Sequence, residues 1–410
     1  MAVGITTKTC STTSSISVNP QEEIRFRTTN QYDGMDIKRL YHADNLDVLN
    51  YLIKDINVCG KIDLVYIDPP YNTGGAFETR DFKLAYNDNF TTEGYLRFME
   101  IRLQLLHTLL SNEGSIYVHL DSNMVFHVKI LMDKIFGERN FRGMITRKKC
   151  KSKNFTRTTY GNISDYILFY TKTDSPKWNR PYEEWCDEKV LKEYPFIEEG
   201  TGRRHKRVPC HAPGTRNGAT GSPWRGIMPP EGKHWQYTPD KLEEMDAKGE
   251  IYWSSNGNPR RKVYLDQSKG VPVQDIWLDF LDVNNQNTHL TGYPTEKNID
   301  MLKRIIETSS NPGDLVLDCF AGSGTTLVAA NELGRQWIGV DIGDESIRII
   351  QERFAKGTKP LGDYVGKRNK KKKDDNTLPL FNELNFDEST SNKDIEQNKT
   401  ESKFQLFEEI

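Results

Sequence analysis

The chain lacks the cysteine arrangement of a disulfide scaffold or a zinc module. Its six cysteines, Cys10, Cys59, Cys150, Cys186, Cys210 and Cys319, are scattered over 410 residues and form no Cys-x-x-Cys pair. That spacing points to no metal centre and fits a reducing cytoplasm. No apolar run approaches the roughly 20 residues needed to cross a bilayer, so no membrane span is expected. Residues 1–19 are rich in Ser and Thr and lack the apolar centre of a signal peptide. They read as a disordered lead-in. A strong net charge is also missing, since 56 Lys and Arg face 58 Asp and Glu for a formal −2. Taken whole, that balance argues against a polyanionic partner, but the distribution does not. From Phe141 to Gln236 there are 19 Lys/Arg against 10 Asp/Glu, whereas from Asp374 to Ile410 there are 3 against 10. An acidic tail masks a basic middle, and a basic middle suits a polyphosphate.

What is present has a strand–helix rhythm. Residues 39–42 read as a strand followed by Asp44. Leu46, Leu49, Leu52 and Ile53 then recur at helical spacing over 45–54. Residues 62–67 are rich in β-branched and aromatic side chains, as a buried strand should be. A polar, Gly-containing loop over 72–89 is placed to act as a lid. Leu96, Met99, Leu103, Leu106 and Leu110 mark an amphipathic helix over 94–110. A turn at 112–114, a strand over 115–120 ending at Asp121, and a helix over 123–136 closed by Gly137 complete this half. Such alternation with short links implies a doubly wound, mostly parallel α/β sheet. Its ligands sit beyond the carboxyl ends of strands, where Asp44, Asp68 and Asp121 fall.

The rhythm fades between about 147 and 289. Tryptophans and prolines collect there, with two basic runs: Lys148, Lys149, Lys151 and Lys153, then Arg203, Arg204, Lys206 and Arg207. Basic clusters interleaved with aromatics suit nucleic acid, because phosphates meet the cations and rings stack on bases. Residues 165–170 still read as a strand of the sheet. A helix over 296–309, a strand over 315–318, a helix over 327–333 and a strand over 337–340 ending at Asp341 restore the order. The chain thus divides into a poorly ordered 1–34, a half-domain over 35–172, an inserted region over 173–285, a second half-domain over 286–360, and a low-complexity, mostly disordered tail over 361–410.

Two turns carry the chemistry. Asp68-Pro69-Pro70-Tyr71 ends the strand over 62–67. Two prolines stop the strand and stiffen the turn. Asp68 and the Pro69 carbonyl can accept hydrogen bonds from an amino group, while Tyr71 offers a face for stacking. Together they suit a planar, amine-bearing ring such as a nucleobase. The second turn, Phe320-Ala321-Gly322-Ser323-Gly324, runs from a strand into a helix, with Asp341 at the end of the next strand. That acid can hold two ribose hydroxyls. Leu327 stands where the dinucleotide fingerprint has its third glycine. The turn requires no pyrophosphate, so a nucleoside such as S-adenosylmethionine fits.

In Tyr41–Leu46, Ile67–Gly74, Pro294–Lys297 and Asp318–Thr326 the chain resembles the amino-methylating DNA methyltransferases that use S-adenosylmethionine, in the permuted arrangement called the β group. The resemblance covers roughly residues 35 to 355. It implies a seven-stranded, mostly parallel methyltransferase sheet with an inserted DNA-recognition region. It implies catalysis by Asp68, Pro69, Pro70 and Tyr71. The cofactor would be held by Asp44, Thr295, Lys297, Asp318, Phe320, Gly322, Gly324, Thr325 and Asp341. Double-stranded DNA is the implied substrate, and a cognate restriction endonuclease and a homodimer are compatible partners. Tyr293, Asn298 and Cys319 depart from residues common in the family. Asp at the first position of the Asp-Pro-Pro-Tyr turn points to N6 of adenine, whereas Ser there points to N4 of cytosine.

Three rival readings compete with this one. Carbon-5 cytosine methylation needs a nucleophilic cysteine after a proline. Pro209-Cys210 exists, but no Glu-Asn-Val partner accompanies it. A degenerate fold that only binds nucleic acid is opposed by both intact turns. RNA methylation stays open. Of the smaller signals, His119 reads as core, His205 and His211 as phosphate- or solvent-facing, and Thr377-Leu378-Pro379-Leu380-Phe381 as a peptide with a weak resemblance to those that dock on sliding clamps.

Overall fold

The computed structural model describes residues 25–70, 76–78, 84–87, 91–151, 158–282, 296–356 and 403–410. They form two compact units. One comprises the chain up to Asn179 together with Gln274 onward, the other Arg180–Val273. The second lies inside the interval set apart by composition.

The first unit begins with β1 (Phe26–Thr28), β2 (Lys38–His42), α1 (Asn45–Lys54) and β3 (Ile62–Ile67). The loop expected over 72–89 contains an antiparallel hairpin of β4 (Ala76–Glu78) and β5 (Leu84–Asn87). Then come α2 (Thr92–Leu109), β6 (Leu110–Leu120), α3 (Val125–Phe136), β7 (Phe141–Lys148) and β8 (Ser164–Thr171). The turn expected at 112–114 is a bulge within β6. Ile62 pairs with Leu110 and Leu64 with Ser115, so the residues between crowd opposite Asp63.

The second unit contains β9 (Tyr182–Glu183), α4 (Asp187–Glu193), β10 (Phe196–Ile197), β11 (Arg204–Pro209), β12 (His211–Pro213), β13 (Lys233–Trp235), α5 (Pro239–Ala247), β14 (Ile251–Trp253), β15 (Pro259–Tyr264) and β16 (Val271–Pro272). Its main sheet runs β10-β11-β15-β14 and is antiparallel throughout. Trp224 and Trp235 join Cys210, Leu242, Met245 and Ile251 in a small core. These tryptophans are structural rather than platforms for bases.

The chain returns to the first unit with β17 (Ile276–Trp277), α6 (Ile299–Ser309), β18 (Leu315–Asp318), α7 (Thr325–Glu332), β19 (Gln336–Asp341), α8 (Asp344–Lys356) and β20 (Gln405–Glu409). Ten strands form one sheet in the order β1-β20-β2-β19-β18-β3-β6-β8-β7-β17. Neighbours are parallel except at β1–β20, β6–β8 and β7–β8. The doubly wound, mostly parallel sheet is as expected, and β1, β20 and β17 extend its central seven strands to ten.

Strand order creates the cleft. From β3 the chain moves to β6 on one side, and from β18 it moves to β19 on the other. Right-handed crossovers then send the connecting helices to opposite faces. Accordingly α1 packs on α2 and α2 on α3, while α6 packs on α7. Where neighbouring strands diverge like this, a crevice opens at their carboxyl ends. Here that switch point lies between β3 and β18.

The chain's last residues differ from the expected disorder. Phe404 and Leu406 are buried, and β20 lies between β1 and β2. The Phe407 ring stacks on Tyr41, with centroids 4.6 Å apart. Asn30 clamps the strand, donating to the Phe404 carbonyl oxygen at 2.8 Å and accepting from the Leu406 amide at 2.7 Å. An alternating apolar pattern of a few residues was hidden in acidic text. It needs a waiting sheet edge to become a strand.

Candidate active site

Along the sheet, β2, β19, β18 and β3 are successive neighbours. Asp44 follows β2, Asp341 ends β19, Asp318 ends β18 and Asp68 follows β3. The strands are parallel, so these four acids share the carboxyl edge, at a strand spacing of about 4.8 Å. Residues that are remote in sequence are therefore placed side by side by backbone pairing.

The glycine-rich turn follows β18. Gly322 and Gly324 adopt φ of +51° and +72°, conformations that suit glycine. A Cβ on Gly324 would lie 2.7 Å from Ile350 Cγ1 of α8, so the turn is packed from behind. Asp341 Oδ2 accepts from the Gly322 amide at 2.8 Å and Oδ1 from the Gly343 amide at 2.9 Å. The Ser346 hydroxyl also bonds the carboxylate, which with about four acceptor positions keeps capacity to spare. Burial raises the Asp341 carboxyl above its ordinary value, and the two N–H donors oppose the rise. The missing third glycine is explained by Gly339 of β19. A Cβ there would come within 2.4 Å of Leu327 Cδ1. The close helix–strand approach is kept, with the small residue moved from helix to strand.

Asp318 is a buried support. It accepts from the Phe320 amide at 3.0 Å and from the Thr326 hydroxyl. Burial pushes its carboxyl up to about 7, aided by the charges of Asp68 and Asp341. Asp121 is a cap, accepting from the Asn123 and Met124 amides at 3.0 and 3.1 Å.

At the other half of the cleft, Pro69 is buried and Asp68 half-buried. Lys297 Nζ lies 2.9 Å from Asp68 Oδ2. Lys297 is expected among the cofactor residues, and here its ammonium pairs with the Asp68 carboxylate. Tyr71, Thr295 and Lys153 lie outside the described residues. Asn298, one of the departures from the family pattern, caps α6 by accepting from the Asp300 and Met301 amides.

Several residues escaped the sequence reading. Arg102 of α2, almost fully buried, donates to Asn45 Oδ1 at 2.6 Å and pairs with Asp44 Oδ1 at 3.2 Å. Asn45 in turn donates to the Cys319 carbonyl oxygen at 2.8 Å, so one guanidinium ties α2, α1 and the end of β18 together. Ile342 follows Asp341 and is 67% exposed, an apolar surface beside that carboxylate. Arg353 of α8 lies beneath the glycine turn and pairs with Glu296. Only Ile342 left a legible signal, an apolar residue directly after a strand-end acid.

His119 is buried, as its strand position implied, and it sits in a polar row. Tyr66 Oη lies 2.8 Å from Nδ1, and Nε2 lies 3.0 Å from Asp165 Oδ2. Arg147 donates to Asp165 Oδ2 at 3.0 Å and to the Phe280 carbonyl oxygen at 2.7 Å. Burial alone would raise the Asp165 carboxyl, but His119, Arg147 and Lys297 hold it well below the usual range.

The two basic runs are placed differently. β7 runs parallel to β6, so Lys148 at its carboxyl end and Lys149 and Lys151 just after it lie on the same sheet edge as Asp68. In the second unit, strand alternation splits the other run. Arg204 and Lys206 point to one face of β11, and Arg207 points to the opposite face with His205. The Arg207 guanidinium lies between the rings of Phe196 and Tyr252, at 3.7 and 3.5 Å. Arg203 pairs with Asp266 at 2.7 and 2.8 Å. His205 is buried between Phe196 and Tyr264, a core position rather than the phosphate-facing one expected. Cys210 is buried too, and burial raises its thiol to about 11, away from the exposed thiolate that the carbon-5 rival needs.

The DNA methylase family of N6/N4 methyltransferases matches residues 62–352, from β3 to α8 and through both turns. The chain belongs to that family. A type II methyltransferase, M.EcaI of Enterobacter cloacae, is 48% identical over 323 residues, 79% of this chain and 70% of its own. The type II methyltransferase M.KpnI of Klebsiella pneumoniae is 31% identical over 326 residues, 71% and 76% of the two chains. Among solved structures, the complex of M1.HpyAVI with S-adenosylmethionine aligns over 77% of this chain and 98% of its own, at 16% identity and a TM-score of 0.43. The family match makes the protein a DNA methyltransferase, of a family that uses S-adenosylmethionine as methyl donor. The donor set at the carboxyl edge fits that nucleoside: a carboxylate with spare acceptor positions at Asp341, apolar surface at Ile342 and a partly exposed ring at Phe320. Among the described residues no helix is long and apolar enough to cross a membrane, and no acid–His–Cys cluster could hold a metal.

Proposed function

We propose that this methyltransferase modifies the exocyclic N6 amine of adenine within a specific double-stranded sequence, as the modification activity of a restriction–modification system. The observation that carries the reading is the adjacency of Asp68 and the glycine turn, on neighbouring strands β3 and β18. The type II names of its relatives support the biological setting, with a cognate endonuclease as the implied partner.

An amine paired within a duplex is not available, so the target base must leave the stack. Tyr71 offers the stacking face. Asp68 and the Pro69 carbonyl accept hydrogen bonds from the amino group and orient its lone pair. When bound, S-adenosylmethionine supplies an electrophilic methyl on a sulfonium sulfur. The amine lone pair forms the bond to the methyl carbon while the carbon–sulfur bond breaks with its electrons left on sulfur as a neutral thioether. The Asp68 carboxylate stabilises the positive charge that the nitrogen gains, and the nitrogen then loses one proton to solvent. Positioning of the amine supplies much of the remaining acceleration. Asp341, Phe320 and Ile342 hold the nucleoside, and Asp44 braces its adenine end. Lys148, Lys149, Lys151 and Arg207 offer cations to the DNA backbone.

Single-molecule sequencing of DNA from cells expressing the protein tests this. N6-methyladenine in one sequence context, lost with Asp68→Ala, is expected. N4-methylcytosine instead would favour the family's other branch, and an absence of any mark alongside calorimetric binding of S-adenosylmethionine would refute transfer to DNA.

A further inference from the structure

One buried arginine reaches both halves of the site. Arg353 Nη1 donates to the Ser323 carbonyl oxygen at 3.1 Å and to Thr325 Oγ1 at 2.9 Å, both in or beside the glycine turn. Its Nη2 lies 3.4 Å from Glu296 Oε1, with each side chain 5% exposed. The next residue, Lys297, puts its Nζ 2.9 Å from Asp68 Oδ2. Residues 296–298 are neither helix nor strand, so no ladder of backbone hydrogen bonds sets their position. The cap of α6 holds Asn298, and side-chain contacts help to place the two residues before it. A buried ion pair is also a weak source of stability, since apolar replacements of similar volume often do as well. Stability alone therefore gives this pair little reason to sit between two functional turns.

We propose that Arg353 is a positioning residue, and that through Glu296 and Lys297 it sets the Asp68 carboxylate in register with the cofactor turn. The role rests on the reading of Asp68 as the amine acceptor. The strands β3 and β18 align only the roots of the two turns. Beyond the strand ends, the link from Ser323 and Thr325 through Arg353, Glu296 and Lys297 to Asp68 carries the alignment.

The test uses the full chain, with S-adenosylmethionine binding by calorimetry and steady-state methyl transfer to DNA. The kcat is expressed per cofactor-binding site, so unfolded protein does not count. Glu296→Gln keeps the shape and removes the charge. It should leave the cofactor Kd within about threefold of wild type while kcat falls about 100-fold, the loss that a misplacement of about 1 Å can cause. Arg353→Lys keeps the charge and loses the fork. It should also raise the cofactor Kd about tenfold, because it touches the turn itself. The double variant should be about as slow as the slower single variant, because both cut one link. Should Glu296→Gln not fold, Glu296→Asp, which shortens the reach and keeps the charge, takes its place in the same readout. A kcat per site within about twofold of wild type in the Glu296 variant, with only the melting temperature lowered, would overturn the proposal. So would single losses that multiply in the double variant. If the wild-type protein binds the cofactor and methylates no DNA, it is the proposed function that fails, not this coupling.

Discussion

Phe404→Ala tests whether the far end of the chain belongs to the catalytic sheet. The Phe404 ring is 4% exposed, with its centroid 5.4 Å from Trp337 of β19 and 5.2 Å from Phe354 of α8. Those two rings are themselves 5.0 Å apart, so Phe404 closes a three-ring cluster. Removing a buried Phe side chain costs about 3–5 kcal/mol, counting both lost transfer energy and the cavity. At about 2–4 °C per kcal/mol for a domain of this size, the melting temperature should fall by roughly 6–20 °C. Thermal unfolding followed by circular dichroism measures it. Ile410→Ala, at a side chain 75% exposed, is the matched control and should change stability by less than about 0.5 kcal/mol. The perturbation should also reach the site. Trp337 lies on β19, which ends at Asp341, and β20 pairs with β2, which leads into Asp44. If Phe404→Ala and deletion of 403–410 both melt within about 1 °C of wild type, the placement of β20 in the sheet is wrong.

Three further outcomes follow from the site. The folded state holds the Asp318 proton up to about pH 7, whereas an unfolded carboxyl loses it near 4. The folded state therefore binds more protons between those values, and this group's stabilising contribution is complete below about pH 4 and lost as pH rises to about 7. Asp318→Asn should abolish that part of the pH dependence, about 3 kcal/mol at most between urea titrations at pH 5 and 8; an unchanged difference would refute the assignment. Arg102→Met should raise the cofactor Kd about tenfold or more, since it removes charge-assisted bonds to Asp44 and Asn45; calorimetry showing no change would exclude Arg102 as the brace. Arg207→Lys keeps a cation but loses the planar fork between Phe196 and Tyr252. If the guanidinium meets a phosphate as a fork, DNA affinity should drop severalfold with little change in sequence preference, as measured by binding to cognate and non-cognate duplexes over a range of salt.

The amino-acid sequence alone determined the local elements and the chemistry carried at their ends. Helical spacing marked α1, β-branched and aromatic content marked β3, and Asp68 and Phe320–Gly324 stood directly after strands. These are short-range properties, written in consecutive residues. Tertiary structure decided everything that depends on which segments become neighbours. It brought β3 beside β18, and it split Arg204 and Lys206 from Arg207 across a strand. It buried His205 and Cys210 and recruited an acidic tail's last residues into the sheet. It also supplied Arg102 and Arg353, whose partners lie 58 and 57 or fewer residues away, too far for any local pattern to announce. Such contacts arise from sheet order and packing, and burial then turns an ordinary surface-type arginine into a brace between distant turns.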